Sequence, residues 1–407
     1  MVKLRNIVIG IFIIHFSLFI MPLNAQITFK GVWIATVANI DWPTPEAVGN
    51  TERQQQEMVF LLDSLQSLGI NAIIFQVRPT ADALYRSEYE PVAHWLTGTQ
   101  GSWGEQEPWD PLAWTIEQAH ARHMEVHVWL NPYRVNLNKT DTSILAPDHI
   151  MRQHPEWFWE YAKQWYFDPG QPITRAWICM IVQDIVARYD IQAIHMDDYF
   201  YPYPVGGKPL PDQRTFEAYP RGFTDIRDWR RDNVNLAIQD ISATIHECRP
   251  GVQFGISPFG VWRNASVDPT GSATTAGITN YDDLYADIRL WIKSGWIDYV
   301  LPQLYWEIGK KAADYETLAY WWANEVRGTN CQLYIGMAPY RLEGAKKDSP
   351  WGTGNEIGRQ MRLNRTIPEI TGECFYSTRP LLRNPRGVCD TIKAIYSQET
   401  EYSLPWE

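Results

Sequence analysis

The sequence of 407 residues contains few cysteines, and they do not form a disulfide pattern. Their number is odd, their spacings are irregular, and several lie inside apolar runs: Cys179, Cys248, Cys331, Cys374 and Cys389. No two of them have the CxxC spacing of a metal or redox site. We therefore expect buried free thiols, which excludes a small scaffold held together by disulfides.

Basic residues are also scarce relative to acidic ones. Lys plus Arg number 36 against 47 for Asp plus Glu, which gives a net charge of −11. Proteins that bind nucleic acid through its phosphates need a basic surface, so we expect no nucleic-acid partner. Only 20% of the residues are charged and 45% are hydrophobic, so the chain is not a charged disordered polymer and can bury a large core.

One apolar run is prominent, and it lies at the amino terminus. Lys3 and Arg5 precede the run 7–20, and the small residue Ala25 comes before polar Gln26. This order is typical of a secretory signal, and the run is shorter than the ~20 residues that span a bilayer. We expect a signal peptide over 1–25, export to the periplasm or beyond, and no membrane span after its removal. The remaining chain, 26–407, is predicted to form a single domain.

Signatures of several enzyme classes are absent from the sequence. There is no GxSxG nucleophile elbow, no P-loop and no zinc-protease motif. His120, His123 and His127 lie close together, but the first two end a predicted helix and the third lies inside the next strand. We therefore expect neither a metal site nor another cofactor.

Aromatic residues, in contrast, are abundant: 20 Trp, 21 Tyr and 14 Phe. A core does not need so many indoles, because aliphatic side chains fill space without an N–H group to satisfy. Either many of them lie at a surface that binds a flat amphipathic ligand such as a sugar ring, or the core is unusually aromatic.

Short apolar runs alternate with longer stretches of helical period along the chain. The predicted strands are Gly31–Thr36, Ala72–Arg78, Glu125–Asn131, Gln192–Asp197, Gln253–Pro258, Tyr299–Tyr305, Gln332–Met337 and Cys374–Ser377. Predicted helices between them include Glu52–Leu68, Asp110–His123, Ile173–Tyr189, Asp225–Cys248, Tyr281–Ser294 and Tyr315–Val326. Eight such units predict an α/β fold of the (β/α)₈ TIM-barrel type, with a doubly wound open sheet as the alternative.

Several predicted strands carry polar side chains on alternate residues. A buried parallel strand is normally apolar on both faces, so these stripes are best placed on the inside of a barrel. They become more polar toward the carboxyl end of each strand, where barrel enzymes carry their active sites. Three long loops, 79–109, 132–172 and 199–224, follow the second, third and fourth strands and are expected on the same rim.

Three carboxylates on this rim are the candidate catalytic residues. Asp197 and Asp198 end the fourth strand, and Glu307 ends the sixth. Hydrolysis of a glycosidic bond needs one carboxyl group to protonate the leaving oxygen and a second to attack the sugar or activate water. Environment can raise the pKa of one group and leave the other ionised. Any one of these carboxylates could instead have a structural role, as a helix cap or as the partner of an arginine.

Polar and aromatic residues near the same strand ends are the candidate substrate-binding groups. Arg78 could orient a carboxylate or bind an acidic group of the substrate. Asp168 lies on the third-strand loop as a further site residue or simply a turn residue. The full predicted set is Trp33, Arg78, His127, Asn131, Tyr133, Arg134, His195, Tyr199, Gln303, Tyr305 and Trp306.

The strand-end segments resemble those of the glycosyl-hydrolase-like family 10. The resemblance covers most of the chain and rests on six segments: GVWIA (31–35), NAIIFQVRPTADA (71–83), HVWLNPYR (127–134), HMDDYFYPYP (195–204), ISPFGVWR (256–263) and PQLYWEIG (302–309). The family is an exported (β/α)₈ family that includes a bacterial hydrolase of denuded peptidoglycan glycan strands. The resemblance thus implies a glycoside hydrolase that acts on a polysaccharide or oligosaccharide.

Two mechanisms and two other functions remain open at this point. In one mechanism Glu307 is the general acid and Asp197 or Asp198 is the nucleophile or base. In the other, a 2-acetamido group of the substrate attacks its own anomeric carbon, and the two aspartates orient the acetamido nitrogen and protonate the leaving group. The acidic pair resembles that of some substrate-assisted barrel hexosaminidases. A non-catalytic glycan-binding barrel and a metal-dependent polysaccharide deacetylase are the alternative functions.

Overall fold

The computed structural model describes residues 26–137 and 142–402, so the predicted signal peptide lies outside the described residues. Eight strands close into a parallel barrel in which every strand pairs with its neighbours in chain order. They are β1 Phe29–Ile34, β2 Ala72–Arg78, β3 Glu125–Leu130, β4 Ala193–Met196, β5 Gln253–Ile256, β6 Tyr299–Val300, β7 Gln332–Met337 and β8 Ile370–Phe375. The predicted (β/α)₈ barrel is confirmed, and the doubly wound sheet is wrong.

One principal helix follows each strand. These are α1 Thr51–Ser67, α2 Pro111–His120, α3 Pro172–Arg188, α4 Ile226–Cys248, α5 Ile288–Lys293, α6 Tyr315–Val326, α7 Glu356–Asn364 and α8 Val388–Tyr402. Short helices lie in the connections, at His94–Thr97, Ile150–Gln153, Gln213–Ala218, Asn280–Asp283 and Thr378–Arg383. Acidic or amide side chains accept hydrogen bonds from the first-turn backbone of several helices, as at Asn50, Asp110, Asp225 and Asp314.

Two predicted helices differ from the observed ones because the backbone departs from helical angles. The predicted helix 281–294 is broken at Tyr285, which has φ of 54°, and α5 starts only after Asp287 caps it through the N–H of Leu290. The predicted helix that begins at Asp110 ends at His120 rather than His123, because His123 has φ of 57°.

The sixth strand is much shorter than predicted. Only Tyr299–Val300 pair as a strand, and Pro302 then interrupts the ladder because proline has no N–H to donate. Gln303 nevertheless forms isolated parallel bridges with Phe259 and Gly336, so the chain continues along the barrel wall as far as the rim.

The barrel interior is filled by aromatic rings. Phe29, Trp33, Trp129, Tyr299 and Tyr334 belong to one buried cluster inside the strands. Glycines on the strands make room for these rings: a Cβ added at residue 255 would lie 1.8 Å from Cζ of Tyr299. Larger side chains on the strands would therefore exclude the rings that form the floor beneath the rim.

The outer core lies between the strands and the helices, and several of the tryptophans lie in it. Trp42, Trp291 and Trp322 are fully buried there. All five cysteines are free thiols, as expected from their spacing, but only Cys331 and Cys374 are buried as predicted. Within the described ranges no helix is long and apolar enough to cross a bilayer.

Candidate active site

A cavity of about 210 Å³ opens at the carboxyl ends of the barrel strands. Residues from or just after β1, β3, β4, β5, β6 and β8 line it, together with the rim loop that follows β4. The lining residues are Trp33, Trp129, Asp197, Asp198, Tyr199, Tyr203, Ser257, Gln303, Tyr305 and Tyr376. Six of these, Trp33, Asp197, Asp198, Tyr199, Gln303 and Tyr305, belong to the set predicted from the sequence.

Asp197 lies directly after β4 and is held from several sides. Its Oδ2 accepts the indole N–H of Trp129 at 3.1 Å, and its Oδ1 accepts the backbone N–H of Tyr199 at 3.2 Å and the amide of Asn131 at 3.5 Å. Burial raises the pKa of Asp197 to about 7, and the charge of Asp198 adds to the shift, against the opposing effect of Arg134, Tyr199 and Trp129. The carboxyl group is therefore oriented and close to its titration point at neutral pH.

Asp198 faces the same cavity, and its partners are different. The hydroxyl of Tyr203 donates to its Oδ2, and Gln303 donates a second hydrogen bond. Burial raises the pKa of Asp198 above its ordinary value, while Tyr203, Gln303 and Arg134 act in the opposite direction. Both aspartates are only 5% exposed.

The two carboxyl groups titrate as a pair because they are adjacent and desolvated. Two buried like charges repel each other, so the loss of the first proton makes the loss of the second harder. The pair can therefore hold one proton near neutral pH, with one group acidic and the other ionised. Such a division of roles between two similar groups is what glycoside hydrolysis requires.

His195 lies below the cavity floor on β4. Its Nε2 is 3.0 Å from the hydroxyl of Ser257 and receives the indole N–H of Trp33 at 3.4 Å. Its Nδ1 is 2.8 Å from the hydroxyl of Tyr299. Burial lowers the pKa of His195 well below its ordinary value, so the ring is neutral. It supports the floor and does not itself line the cavity.

Tyrosines form the walls around the two acids. Tyr199 and Tyr203 pack at 5.6 Å between ring centroids, and the guanidinium of Arg134 lies 5.3 Å from the ring of Tyr199. On the opposite side, Tyr305 and Tyr376 are 6.0 Å apart. Tyr199 is 39% exposed, so part of this wall is open to solvent where a longer ligand could leave the cavity.

Glu307 lies outside the cavity. Its Oε2 accepts the indole N–H of Trp351 at 2.9 Å, and its Oε1 is 3.3 Å from Nζ of Lys310. Partial burial raises the pKa of Glu307, but hydrogen bonds from its own backbone, Trp351 and Lys310 outweigh that effect and leave it below the ordinary value. An ionised carboxylate in this position carries no proton to donate to a leaving group, which argues against Glu307 as the general acid.

Three predicted substrate-binding residues are buried away from the cavity. Arg78 forms a two-pronged ion pair with Glu90, at 2.6 and 2.7 Å, and neither side chain is exposed. Tyr133 is 1% exposed in the outer core. His127 is fully buried near the amino end of β3 and contacts Tyr299. These positions indicate structural contacts rather than contacts with a substrate in the cavity.

The remaining predicted residues lie beside the cavity. Arg134 donates to the carbonyl of Pro79 at 3.1 Å while its charge lowers the pKa of both aspartates. Asn131 accepts the backbone N–H of Arg134 and reaches Asp197. Trp306 packs edge-on against Phe259 on the rim.

Asp168 caps a turn on the third-strand loop. It accepts the N–H of Gly170 at 2.9 Å and the hydroxyl of Thr215. Asp168 was considered as a site residue or as a turn residue, and these hydrogen bonds are those of a turn residue.

Four cavity residues were not in the predicted set: Trp129, Tyr203, Ser257 and Tyr376. Trp129 lies on the same stripe as Asn131 on β3, and Ser257 and Tyr376 come directly after their strands. The rule that barrel sites form at the carboxyl ends of strands applies to all three. Tyr203 lies on the loop 199–224, which was expected on this rim, but no strand period singles it out from its neighbours.

Comparison with known proteins agrees with the fold and with the family that the sequence resembles. The family model for glycosyl hydrolase-like 10 matches residues 28–353. The chain is 46% identical to the glycosyl hydrolase YngK of Bacillus subtilis (strain 168) over 407 residues, covering 99% of this chain and 78% of that protein. It is 40% identical to the glycosyl hydrolase DigH of Escherichia coli (strain K12) over 365 residues, covering 85% of this chain and 82% of that protein.

Among solved structures, the glycoside hydrolase domain of PgaB (BpsB) from Bordetella bronchiseptica is similar, with a TM-score of 0.54 and 11% identity. The match covers 91% of this chain and 98% of that one. At this identity the likeness concerns the fold. The family match and the two sequence relatives cover far more than half of the chain, and the chain belongs to the glycosyl hydrolase-like 10 family.

Proposed function

We propose that this protein is an exported glycoside hydrolase that cleaves O-glycosidic bonds in a polysaccharide, with denuded peptidoglycan strands as the substrate. The observation that carries the proposal is the pair Asp197 and Asp198, buried together in an aromatic-lined cavity at the catalytic end of the barrel. Aromatic faces bind the apolar faces of sugar rings, and the coupled carboxyl groups supply one acid and one anion.

The position of the pair favours participation by the substrate itself. In direct displacement, the two carboxyl groups lie on opposite sides of the scissile bond. Asp197 and Asp198 are consecutive residues at one strand end, and Glu307 lies outside the cavity, so no second carboxylate among the lining residues faces the pair. A 2-acetamido group on the bound ring, which peptidoglycan sugars carry, would supply the missing nucleophile.

In the proposed reaction, the acetamido oxygen attacks the anomeric carbon as the bond to the leaving oxygen breaks. The protonated carboxyl group of the pair gives its proton to the leaving oxygen. The ionised carboxylate accepts a hydrogen bond from the acetamido N–H. Water then attacks the anomeric carbon of the cyclic intermediate, opens the ring and returns a proton to the carboxylate. No metal or cofactor is needed in this scheme.

Glu307 then has a different role. Its carboxylate is held by Trp351 and Lys310 near the rim. From there it would accept hydrogen bonds from hydroxyl groups of a sugar further along the chain.

The test is reducing-end release with mass analysis of the products, on denuded peptidoglycan strands beside plant and storage glycans. Wild-type protein should release fragments from the peptidoglycan strands, and the variants Asp197→Asn and Asp198→Asn should still bind these strands without cleaving them. If wild-type protein binds glycans but releases no reducing ends from any of them, the enzyme proposal is contradicted and a glycan-binding barrel is supported. If the glycan instead loses acetyl groups, and chelators prevent this loss, a metal-dependent deacetylase is supported.

Substrate participation has its own test. A thiazoline analogue of the cyclic intermediate should inhibit the wild-type protein competitively. A substrate whose 2-acetamido group is replaced by a hydroxyl should not be cleaved. Comparable turnover of both substrates would rule out attack by the acetamido group.

Export is proposed from residues 1–25 alone. Cells expressing the full chain should accumulate a processed form, beginning near Gln26, outside the cytoplasm. A variant without residues 1–25 should stay inside, and an unprocessed full-length chain in the cytoplasm would contradict the proposal.

A further inference from the structure

A continuous chain of hydrogen bonds runs through the barrel axis, from the face opposite the active site up to the cavity floor. Glu125 Oε2 is 3.3 Å from His127 Nε2, and His127 Nδ1 is 2.9 Å from the hydroxyl of Tyr299. The same hydroxyl is 2.8 Å from His195 Nδ1, and His195 Nε2 is 3.0 Å from the hydroxyl of Ser257. Only Glu125, whose side chain is 55% exposed, reaches solvent at the lower end.

A contact with a tryptophan indicates where the proton lies on His195. The indole N–H of Trp33 can only donate, and it points at His195 Nε2 across 3.4 Å. That nitrogen is therefore an acceptor, and the proton of the neutral ring is on Nδ1. Ser257 contacts the same accepting nitrogen, so its hydroxyl must donate to it.

The remaining protons follow in order. His195 Nδ1–H donates to the oxygen of Tyr299, whose single proton is then directed to His127 Nδ1. His127 consequently carries its proton on Nε2, which faces the carboxylate of Glu125. Ser257 and Trp33 share the lone pair of His195 Nε2, each link below it uses one donor and one acceptor, and the donors of the chain all point away from the cavity toward the anion.

Three other side-chain donors that line the cavity are also occupied. Trp129 donates to Asp197 and Tyr203 donates to Asp198. Gln303 donates to the carbonyl of Ser257 at 3.0 Å and to Asp198. Since the proton of Ser257 is directed downward, its oxygen offers only lone pairs to the cavity.

We propose that Ser257 is a specificity residue that accepts a hydrogen bond from a hydroxyl or amide N–H of the bound sugar. We further infer that Glu125, His127, Tyr299 and His195 are positioning residues that direct the hydroxyl of Ser257 away from the substrate. Reversing the direction of the chain would turn the Ser257 hydroxyl from an acceptor into a donor for the cavity. The specificity role rests on the proposed glycosidase function, whereas the proton order of the chain does not.

The proton order is measured without any substrate. Nitrogen-15 NMR of the histidine rings distinguishes the two neutral tautomers, and His195 should show its proton on Nδ1 in the wild-type protein. Tyr299→Phe removes the acceptor of the His195 Nδ1 proton, so the Nε2 tautomer should become more populated, although the long 3.4 Å contact with Trp33 still opposes it. Tyr334→Phe is the matched control, because its hydroxyl belongs to the same aromatic cluster but bonds to Gln332 outside the chain.

A surface variant covers the case in which Tyr299→Phe does not fold. Glu125→Lys changes an exposed side chain and replaces the accepting anion with a donor, so it should shift both histidines toward the opposite tautomer. Gln332→Lys adds positive charge to the exposed start of β7 without touching the chain and should leave the His195 signals unchanged. A wild-type His195 protonated on Nε2, or signals that neither Tyr299→Phe nor Glu125→Lys alters, would overturn the chain.

The specificity role is tested by a double-mutant cycle on cleavage of peptidoglycan strands. Ser257→Ala should lower kcat/KM about 3- to 10-fold, the effect of one lost hydrogen bond. Tyr299→Phe should give a similar loss, and the double variant should lose no more than either single variant. Additive losses would overturn action through Ser257. If wild-type protein cleaves nothing while the tautomer result holds, the glycosidase proposal fails and the proton order stands.

Discussion

The indole N–H of Trp129 donates to Oδ2 of Asp197 across 3.1 Å, and so couples the aromatic interior of the barrel to one of its two acids. The bond stabilises the ionised carboxylate, and it opposes the burial that raises the pKa of this group. The floor of the cavity therefore both holds the acid in place and limits how tightly it keeps its proton.

Trp129→Phe should lower kcat about 10-fold, because it removes a hydrogen bond to a charged group and keeps an aromatic ring in place. The pKa of Asp197 should rise, since a donor to its ionised form is lost, and the alkaline limb of the rate profile should move to higher pH. Trp322→Phe is the control: its indole N–H bonds to the carbonyl of Gly260 in the outer core. Equal effects of the two variants on kcat would contradict the prediction.

The activity should depend on pH as a bell-shaped curve. The pair needs one proton, and burial raises the pKa of Asp197 to about 7. We expect kcat/KM to fall above about pH 7 as this proton is lost, and to fall in acid as the second carboxylate is protonated. A rate profile that stays flat from pH 6 to pH 9 would be inconsistent with a proton-carrying pair.

Asp197→Asn should make the stability of the folded protein less dependent on pH. Because the pKa is raised in the folded state, that state binds more protons than the unfolded chain between about pH 4 and pH 7, and the free energy of unfolding falls as pH rises. Between pH 4 and pH 8 this fall should be smaller in the variant by up to about 4 kcal/mol. Denaturant unfolding at the two pH values measures the difference.

Glu307→Gln should reduce kcat/KM less than about 10-fold, since it alters one hydrogen-bonding group near the rim. Asp198→Asn should reduce it by about 1000-fold or more, because it removes a member of the acid pair. Steady-state rates of the two variants on the same glycan give the comparison. A loss of 1000-fold in Glu307→Gln would restore this residue as the general acid.

Glu90→Gln should affect stability rather than catalysis. The substitution leaves Arg78 charged and fully buried without its anion, at a cost of about 3 kcal/mol in the free energy of unfolding. The folded fraction should keep kcat/KM within about 2-fold, because neither residue lines the cavity. Asp63→Asn, which breaks an exposed pair with Arg122, is the control and should cost less than about 1 kcal/mol. A large rise in KM for Glu90→Gln would return Arg78 to the binding site.

Asp41→Asn should weaken the segment that carries Tyr376 into the cavity. Asp41 Oδ1 accepts from the hydroxyl of Ser377 and the N–H of Arg379, both at 2.8 Å, while its Oδ2 accepts the N–H of Ala35 at the same distance. An amide would turn one acceptor into a donor facing these groups, at a cost of about 1–3 kcal/mol. We expect a lower Tm and a higher KM, and an unchanged KM would show that Tyr376 keeps its place without this anchor.

The barrel and its functional end follow from local patterns in the sequence. Strand and helix periods alternate eight times, and polar residues on alternate positions identify the inward face of a strand before any contact is known. For this reason Asp197, Asp198, Gln303 and Tyr305 were predicted on the rim, and they line one cavity. These features depend only on residues within a few positions of one another.

The tertiary structure alone decided which polar groups reach the cavity. Arg78 and Glu307 end polar stripes just as Asp197 does, but Glu90 binds the first and Trp351 and Lys310 hold the second. Charge partners of this kind come from loops, whose course no periodic pattern describes. The order of protons through Tyr299 likewise depends on five residues that lie on, or directly after, four different strands. Apart from Glu125 and His127, these residues are far apart in the sequence, so no local pattern predicts their contacts. The alternation of polar and apolar residues determined which face of a strand a side chain lies on. Tertiary packing determined which groups that side chain contacts.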